Sequence, residues 1–271
     1  MAETLSSGTK VWQYRSRNKQ LLSWFIWLIG TALFMYCWQR VSESTTWFFV
    51  LDAPRIAADI GSRMIPPRWS YINELWLPLW DTLNIATIGT MMAIVMAVPV
   101  AFLAARNTTP STRFIRPLAL LIIVSSRSIN SLIWSLLLVS IIGPGVVAGI
   151  IAISLRSIGF IAKLLYEAIE EIDKNQVEAV TASGANSLQI LIYGIVPQIL
   201  PAFAGISVFR WDINIRESTV LGLVGAGGIG LQLNASLNVL AWPQVTLILI
   251  LILIAVIFSE WISAKVRHAI I

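Results

Sequence analysis

Six long apolar runs constrain this chain more than any other feature. Residues 21–38, 82–105, 117–142, 145–166, 197–223 and 243–264 approach the roughly 20 apolar residues needed to cross about 30 Å of hydrocarbon. With 57% hydrophobic and 12% charged side chains, the composition excludes an ordinary soluble globular domain. A helix satisfies its backbone hydrogen bonds internally, so these runs predict an all-α, polytopic membrane bundle of about six transmembrane helices. The fourth and fifth runs are the least clean, because each carries polar residues.

The net charge of +5 invites a nucleic-acid reading, but its placement argues against one. Lys10, Arg15, Arg17 and Lys19 precede the first run, and Arg106, Arg113 and Arg116 lie between the second and third. Lys163 and Lys174 flank the fourth-to-fifth connection, and Lys265 and Arg267 follow the last run. With six alternating crossings all of these fall on one side, as the positive-inside rule requires. Both termini are therefore expected in the cytoplasm, and the basicity reports topology. The long external loop 39–80 offsets its Arg40, Arg55, Arg63 and Arg68 with Glu43, Asp52, Asp59 and Glu74.

The chain divides into residues 1–80, a tail, first span and external segment, and residues 81–271, a core with an internal loop at 173–196. Residues 1–20 are a polar leader with room for an amphipathic helix. The first run outlasts a signal-peptide core, and Gln39-Arg40-Val41-Ser42-Glu43 offers no small-x-small cleavage site, so an uncleaved anchor is expected. Cys37 is the sole cysteine, which excludes a disulfide within one chain. Asp52-Ala53-Pro54 reads as a helix start, and Trp47, Trp69, Trp76 and Trp80 suit a membrane interface.

Between the fourth and fifth runs lies a polar, helix-capable stretch. Asp173 can cap a helix, with Gln176 as the return half of a capping box, and Gly184 can end that helix in the left-handed conformation. Asn186 and Gln189 repeat the start signal, and Leu188, Leu191, Ile192 and Ile195 supply an apolar stripe. Two short capped helices around a glycine make a knob that could fit a groove on a partner. An ordinary amphipathic hairpin with no partner is the alternative.

Ionisable residues inside spans are costly and face an interior or a pathway. Arg127, Ser128 and Asn130 cluster in the third run, and Arg156 lies in the fourth. The fifth run carries Arg210, Asp212, Asn214, Arg216, Glu217, Ser218 and Thr219. At helical spacing, Arg210, Asn214 and Glu217 share one face, while Asp212 and Arg216 have the i,i+4 spacing of an ion pair. Arginine's planar donors suit an oxyanion pathway built from Arg127, Ser128, Asn130, Arg210, Asn214, Arg216, Glu217, Ser218 and Thr219. A self-neutralised network that fixes helix packing is the other reading, and Asp212–Arg216 suits it best.

Gly225-Ala226-Gly227-Gly228-Ile229-Gly230 matches the dinucleotide fingerprint letter for letter, but no strand precedes it and no acidic residue follows between Ser218 and Ser259. Gly225, Gly227, Gly228 and Gly230 instead predict a turn or a gate after the fifth run. No phosphate-binding loop of the G-x-x-x-x-G-K-[ST] type occurs, and His268 is the lone histidine, which leaves no His-based catalytic triad. Enzymatic chemistry and a metal site are not expected.

The order Glu178-Ala179, Gly184-Ala185-Asn186 and, thirteen residues after Gly184, Val196-Pro197 resembles the loop signature of ABC importer permeases. Together with Arg127-Ser128-Ile129-Asn130, Tyr193-Gly194-Ile195 and Asn214 to Gly230, the chain resembles the permease subunit of a bacterial binding-protein-dependent ABC importer, phosphonate/phosphite type, over about residues 80–267. Val180 and Gly194 depart from the usual Ala and Ile. The resemblance implies a homodimeric pore in the inner membrane, two ATP-binding subunits that carry ATP and Mg, and a periplasmic substrate-binding protein. It places Glu178, Ala179, Gly184, Ala185, Asn186 and Pro197 at the ATPase contact and leaves no cofactor on this chain. Phosphonate, phosphite or a related phosphorus oxyanion is the implied cargo. A methionine or metal-chelate permease, an ion-coupled secondary carrier and a non-transporting scaffold are the competing functions.

Overall fold

Five of the apolar runs become long helices, and the third becomes two helices set at a steep angle. The computed structural model describes residues 2–4, 10–12 and 17–270. These fall into two units, residues 1–62 and 63–271.

In the first unit, Ala2–Thr4 (β1) pairs antiparallel with Lys10–Trp12 (β2), with Glu3 opposite Val11. Of the leader's other described residues, 17–20 open helix α1, which runs from Arg17 to Ser44. Helix α1 is long and apolar enough to cross a membrane, and none of its apolar window is buried in the fold, as suits a helix solvated by lipid. Cys37 lies exposed on it. Helix α2 (Trp47–Met64) begins before the expected Asp52 cap and carries Pro54 inside it. The indole of Trp47 donates to the Ser42 carbonyl at 3.2 Å, which ties down the earlier start.

The second unit is built on α3 (Ile72–Ala104) and α6 (Val146–Glu170). Helix α3 starts well before residue 82 and runs through residue 80 without interruption. Alanines 86, 93, 97, 101 and 104 of α3 and alanines 148, 152 and 162 of α6 are buried. Such small side chains let helix backbones approach closely, which is how helices bind one another where lipid is as apolar as leucine. Further apolar packing comes from Ile123, Ile161, Leu165 and Ile199.

The continuous third span expected over 117–142 is corrected to α4 (Ile115–Ser128) and α5 (Ser131–Ile142), bent by 87°. Ile129 is extended (φ −95°, ψ 128°), and Asn130 caps α5 by accepting the Leu132 N–H at 3.2 Å. An asparagine that can satisfy a helix start makes a break affordable within an otherwise apolar run. Helices α7 (Lys174–Ala182) and α8 (Ser187–Gln189) follow α6, then a π-helical stretch Ile190–Ile195 leads into α9 (Val196–Leu221). A 3-10 turn at Gly222–Val224, α10 (Ile229–Asn238) and α11 (Trp242–Ile270) complete the chain. Among the described residues, five helices have the length and hydropathy of a membrane span, and the bent pair makes a sixth if it counts as one span.

Candidate functional site

The 173–196 loop is capped at both ends of its glycine turn. Asp173 accepts the Asn175 N–H at 2.9 Å, but the return bond expected from Gln176 comes instead from Gln198. The Asp173 N–H donates to Gln198 Oε1 at 2.9 Å, and Gln198 Nε2 donates to the Gly194 carbonyl at 2.6 Å. Asn186 and Gln189 form the full reciprocal capping box, both bonds at 2.9 Å. Gly184 has φ +81° and so takes the left-handed turn between them.

Glu178, Ala179, Asn186 and Pro197 are exposed and Ala185 is half-buried, while Val177 packs inward on the main core. The second short helix is not separate. Helix α8 is three residues long and merges through the π-helical stretch with α9. Pro197 and Pro201 lack N–H groups to bond the carbonyls four residues earlier, which favours the wider π-turn before them.

The second feature is a cleft of about 640 Å³ where α5, α6 and α9 meet, with Asn130, Ser131, Arg156, Phe209, Arg216 and Glu217 among its walls. Arg156 Nη1 donates to Asn130 Oδ1 at 3.1 Å and to Ser131 Oγ at 3.2 Å, and lies 3.4 Å from Glu217 Oε1. The other carboxylate oxygen of Glu217 is 3.3 Å from Arg210 Nη2. Arg210 is sealed behind it, 2% exposed, held by Ser157 at 2.9 Å and stacked 5.2 Å from the Phe160 ring centre. Asn214 joins the same buried group through Thr90 at 2.7 Å and Ser157 at 3.1 Å. Of the lining residues, Arg156, Arg216 and Glu217 are charged, so the wall carries one positive charge in excess.

Asp212 and Arg216 form the expected ion pair on another face of α9. Ser259 donates to Asp212 at 2.7 Å, and Glu260 lies 3.9 Å from Arg216, both from α11. Arg216 therefore belongs to the packing network and to the cleft wall at once.

Residues 97–268 match the family described as the binding-protein-dependent transport system inner membrane component. The chain belongs to this permease family. The permease is 38% identical over 241 residues to the phosphite transport system permease protein of Stutzerimonas stutzeri, covering 89% of this chain and 86% of that protein. It is 38% identical over 206 residues to the phosphate-import permease protein of Mycolicibacterium smegmatis, covering 76% of this chain and 38% of that protein. Among solved structures, the inward-facing methionine ABC transporter matches with a TM-score of 0.65 at 22% identity, over 75% of this chain and 99% of that one. That likeness is one of fold.

Within the permease, the residues singled out in the third and fifth runs separate. Asn130, Arg216 and Glu217 line the cleft, and Arg210 and Asn214 stand behind it. Arg127 is exposed and is not among the lining residues; its stem packs where Gly159 leaves room. Ser128 bonds back to the Val124 carbonyl at 2.8 Å, Ser218 to Ile215 at 2.8 Å and Thr219 to Arg216 at 2.7 Å, so their hydroxyls are engaged on their own helices. Ser131, Ser157 and Phe160 escaped the sequence reading, because their membership depends on where α5 and α6 cross α9. The glycine segment is a turn packed against the core: Gly225, Gly227 and Gly228 have positive φ, and Gly227, Gly228 and Gly230 are buried. Thr82 Oγ1 accepts the Ile229 N–H at 2.8 Å there, which occupies the helix start that a nucleotide phosphate would need.

Proposed function

We propose that this permease is the membrane subunit of an ATP-driven importer for phosphite, phosphonate or a closely related phosphorus oxyanion. The observation that carries the reading is the guanidinium of Arg156 at the broken span, flanked by Asn130 and Ser131 on the wall of an open cleft. A planar, permanently charged donor beside neutral hydrogen-bonding groups is the chemistry an oxyanion needs. The relatives named for phosphite and phosphate transport support the same cargo class.

Two copies of the permease would form the pore, each engaging one of two ATP-binding subunits through the exposed knob around Glu178, Ala179 and Gly184. ATP and Mg would sit on those subunits, and a periplasmic binding protein would deliver the cargo. Both termini would lie in the cytoplasm, with residues 39–80 outside. Gln198, which joins the loop to α9, would carry loop movement into the span that lines the cleft.

The test is uptake of labelled phosphite, methylphosphonate, phosphate and methionine by cells that lack their own phosphorus importers. These cells would express the permease with its ATPase and binding protein. Phosphorus uptake that requires all three proteins, and falls at least about tenfold in Arg156→Ala, is expected. Uptake of methionine alone, or uptake driven by an ion gradient without ATP, would overturn the reading.

A further inference from the structure

Glu217 occupies the place on Arg156 that a cargo anion would take. We propose that the Glu217 carboxylate is a built-in stand-in for the cargo: an oxyanion in the cleft displaces it from Arg156, while it remains paired with Arg210. This rests on the oxyanion reading of the cleft and assigns the residue that keeps the site weak enough to release what it binds.

The two halves of the bridge differ in exposure. The Arg210 side chain is 3% exposed and is fixed by Ser157 and the Phe160 ring, whereas the Arg156 side chain is 32% exposed and borders the cleft. A buried guanidinium without a counter-charge is strongly unfavourable at membrane depth, so Glu217 has reason to stay on Arg210 at every stage. Its hold on Arg156 is looser. The Arg210 contact at 3.3 Å has hydrogen-bond geometry, whereas the Arg156 contact at 3.4 Å is an ion pair without it, and Arg156 borders the open cleft.

Arg156 is also prepared for a second anion. Its partners Asn130, Ser131 and Glu217 are all reached through Nη1. Among the described residues, Nη2 and Nε have no hydrogen-bond partner, so an incoming oxyanion can make its first contact there and then take the Nη1 position from Glu217. Arg216, on the same wall, supplies a further positive charge.

The exchange replaces one anion by another on Arg156 while Glu217 stays on Arg210, so neither guanidinium is left without a counter-charge as cargo arrives and leaves. A bare pair of guanidiniums would bind a phosphorus oxyanion tightly and hold it. Conduction needs binding favourable enough to enter and weak enough to leave, and a competing carboxylate on a tether supplies that weakness.

The experiment uses the complete assembly, permease with ATPase, in nanodiscs, titrated with inorganic phosphite, together with uptake in proteoliposomes at saturating binding protein. Glu217→Gln keeps the shape and removes the charge. Roughly tenfold tighter phosphite binding with a severalfold or larger fall in uptake rate is expected, because one repulsive charge is gone from a partly buried site. Arg156→Gln should abolish the added affinity in the double variant. A purely structural role for Glu217 predicts weaker or unchanged binding. An assembled Glu217→Gln complex that binds phosphite no tighter than the wild type overturns the proposal.

If Glu217→Gln does not assemble, difference infrared spectra of the wild type decide the matter, with Glu217→Asp used to assign the band. A shift of the Glu217 carboxylate stretch on adding phosphite supports displacement, and an unmoved band overturns it. A wild-type complex that neither binds nor carries any phosphorus oxyanion sinks the cargo reading itself; one that carries phosphite while Glu217 stays silent sinks only the exchange.

Discussion

The backbone amide of Asp173 donates to the side-chain oxygen of Gln198 at 2.9 Å, so the start of the loop helix is fastened to the first turn of α9. The same side chain donates to Gly194 at 2.6 Å. Gln198→Ala removes both bonds and a longer third one, from Gln198 Nε2 to the Asp173 carbonyl at 3.4 Å, the two short ones contributing about 1 kcal/mol each. The permease should still assemble, and ATP hydrolysis by the complex should persist. Uptake per ATP should fall severalfold, measured as the ratio of labelled cargo to released phosphate in proteoliposomes. An unchanged ratio would remove Gln198 from the coupling path.

Gly184 sits at φ +81° with no atom within 4 Å of where a Cβ would be. Space is therefore not the constraint; the backbone conformation is. Gly184→Asp introduces strain of about 1 kcal/mol and a new charge at the tip of the loop. Co-purification of the ATPase from detergent should drop severalfold while the permease itself accumulates normally. Full retention of the ATPase would count against the loop as its docking site.

At Gly230 the limit is steric. A Cβ there would lie 1.9 Å from the Thr219 carbonyl oxygen and 2.9 Å from the Gly222 Cα. Gly230→Ala forces α10 away from α9, at a cost of about 1–3 kcal/mol or more. A fall of several degrees in thermal unfolding midpoint is expected in detergent, and an unshifted midpoint would refute the close packing.

Asp212 is 5% exposed and holds Arg216 and Ser259 together. Asp212→Asn leaves Arg216 with only the distant Glu260, but Arg216 is 46% exposed and water screens part of the loss. A destabilisation of about 1–2 kcal/mol is expected, partly restored in Asp212→Asn with Arg216→Gln. A double-mutant cycle by thermal unfolding measures the coupling, and strict additivity would deny it.

Arg127 and Arg156 are both arginines in apolar runs, yet only Arg156 lines the cleft. Arg156→Ala should therefore reduce cargo uptake far more than Arg127→Ala, by about tenfold relative to it. Equal losses in the same uptake assay would show that the path is wider than the cleft.

What could be read in advance follows the range of each interaction. Asn186 and Gln189 are three residues apart, and their reciprocal cap forms as the spacing predicts. Asp173 looked equally local, but its return partner is Gln198, twenty-five residues away, because the loop folds back on α9. Arg210, Asn214 and Glu217 share a face through helical period alone. Arg156 joins them only where α6 crosses α9, and nothing in the fourth run marks that crossing. The break at Ile129-Asn130 is hidden by uniform hydropathy on either side; its one signal is an asparagine able to cap a helix start.

That break has a further consequence for the lipid around it. Helix α4 is about 21 Å long, too short to reach across a bilayer, and it stops at Ser128. Hydrocarbon cannot hydrate the peptide groups freed at such an elbow. Partners for those groups must come from the protein or from an open cavity, and Asn130 supplies one by taking the Leu132 N–H at the border of the cleft.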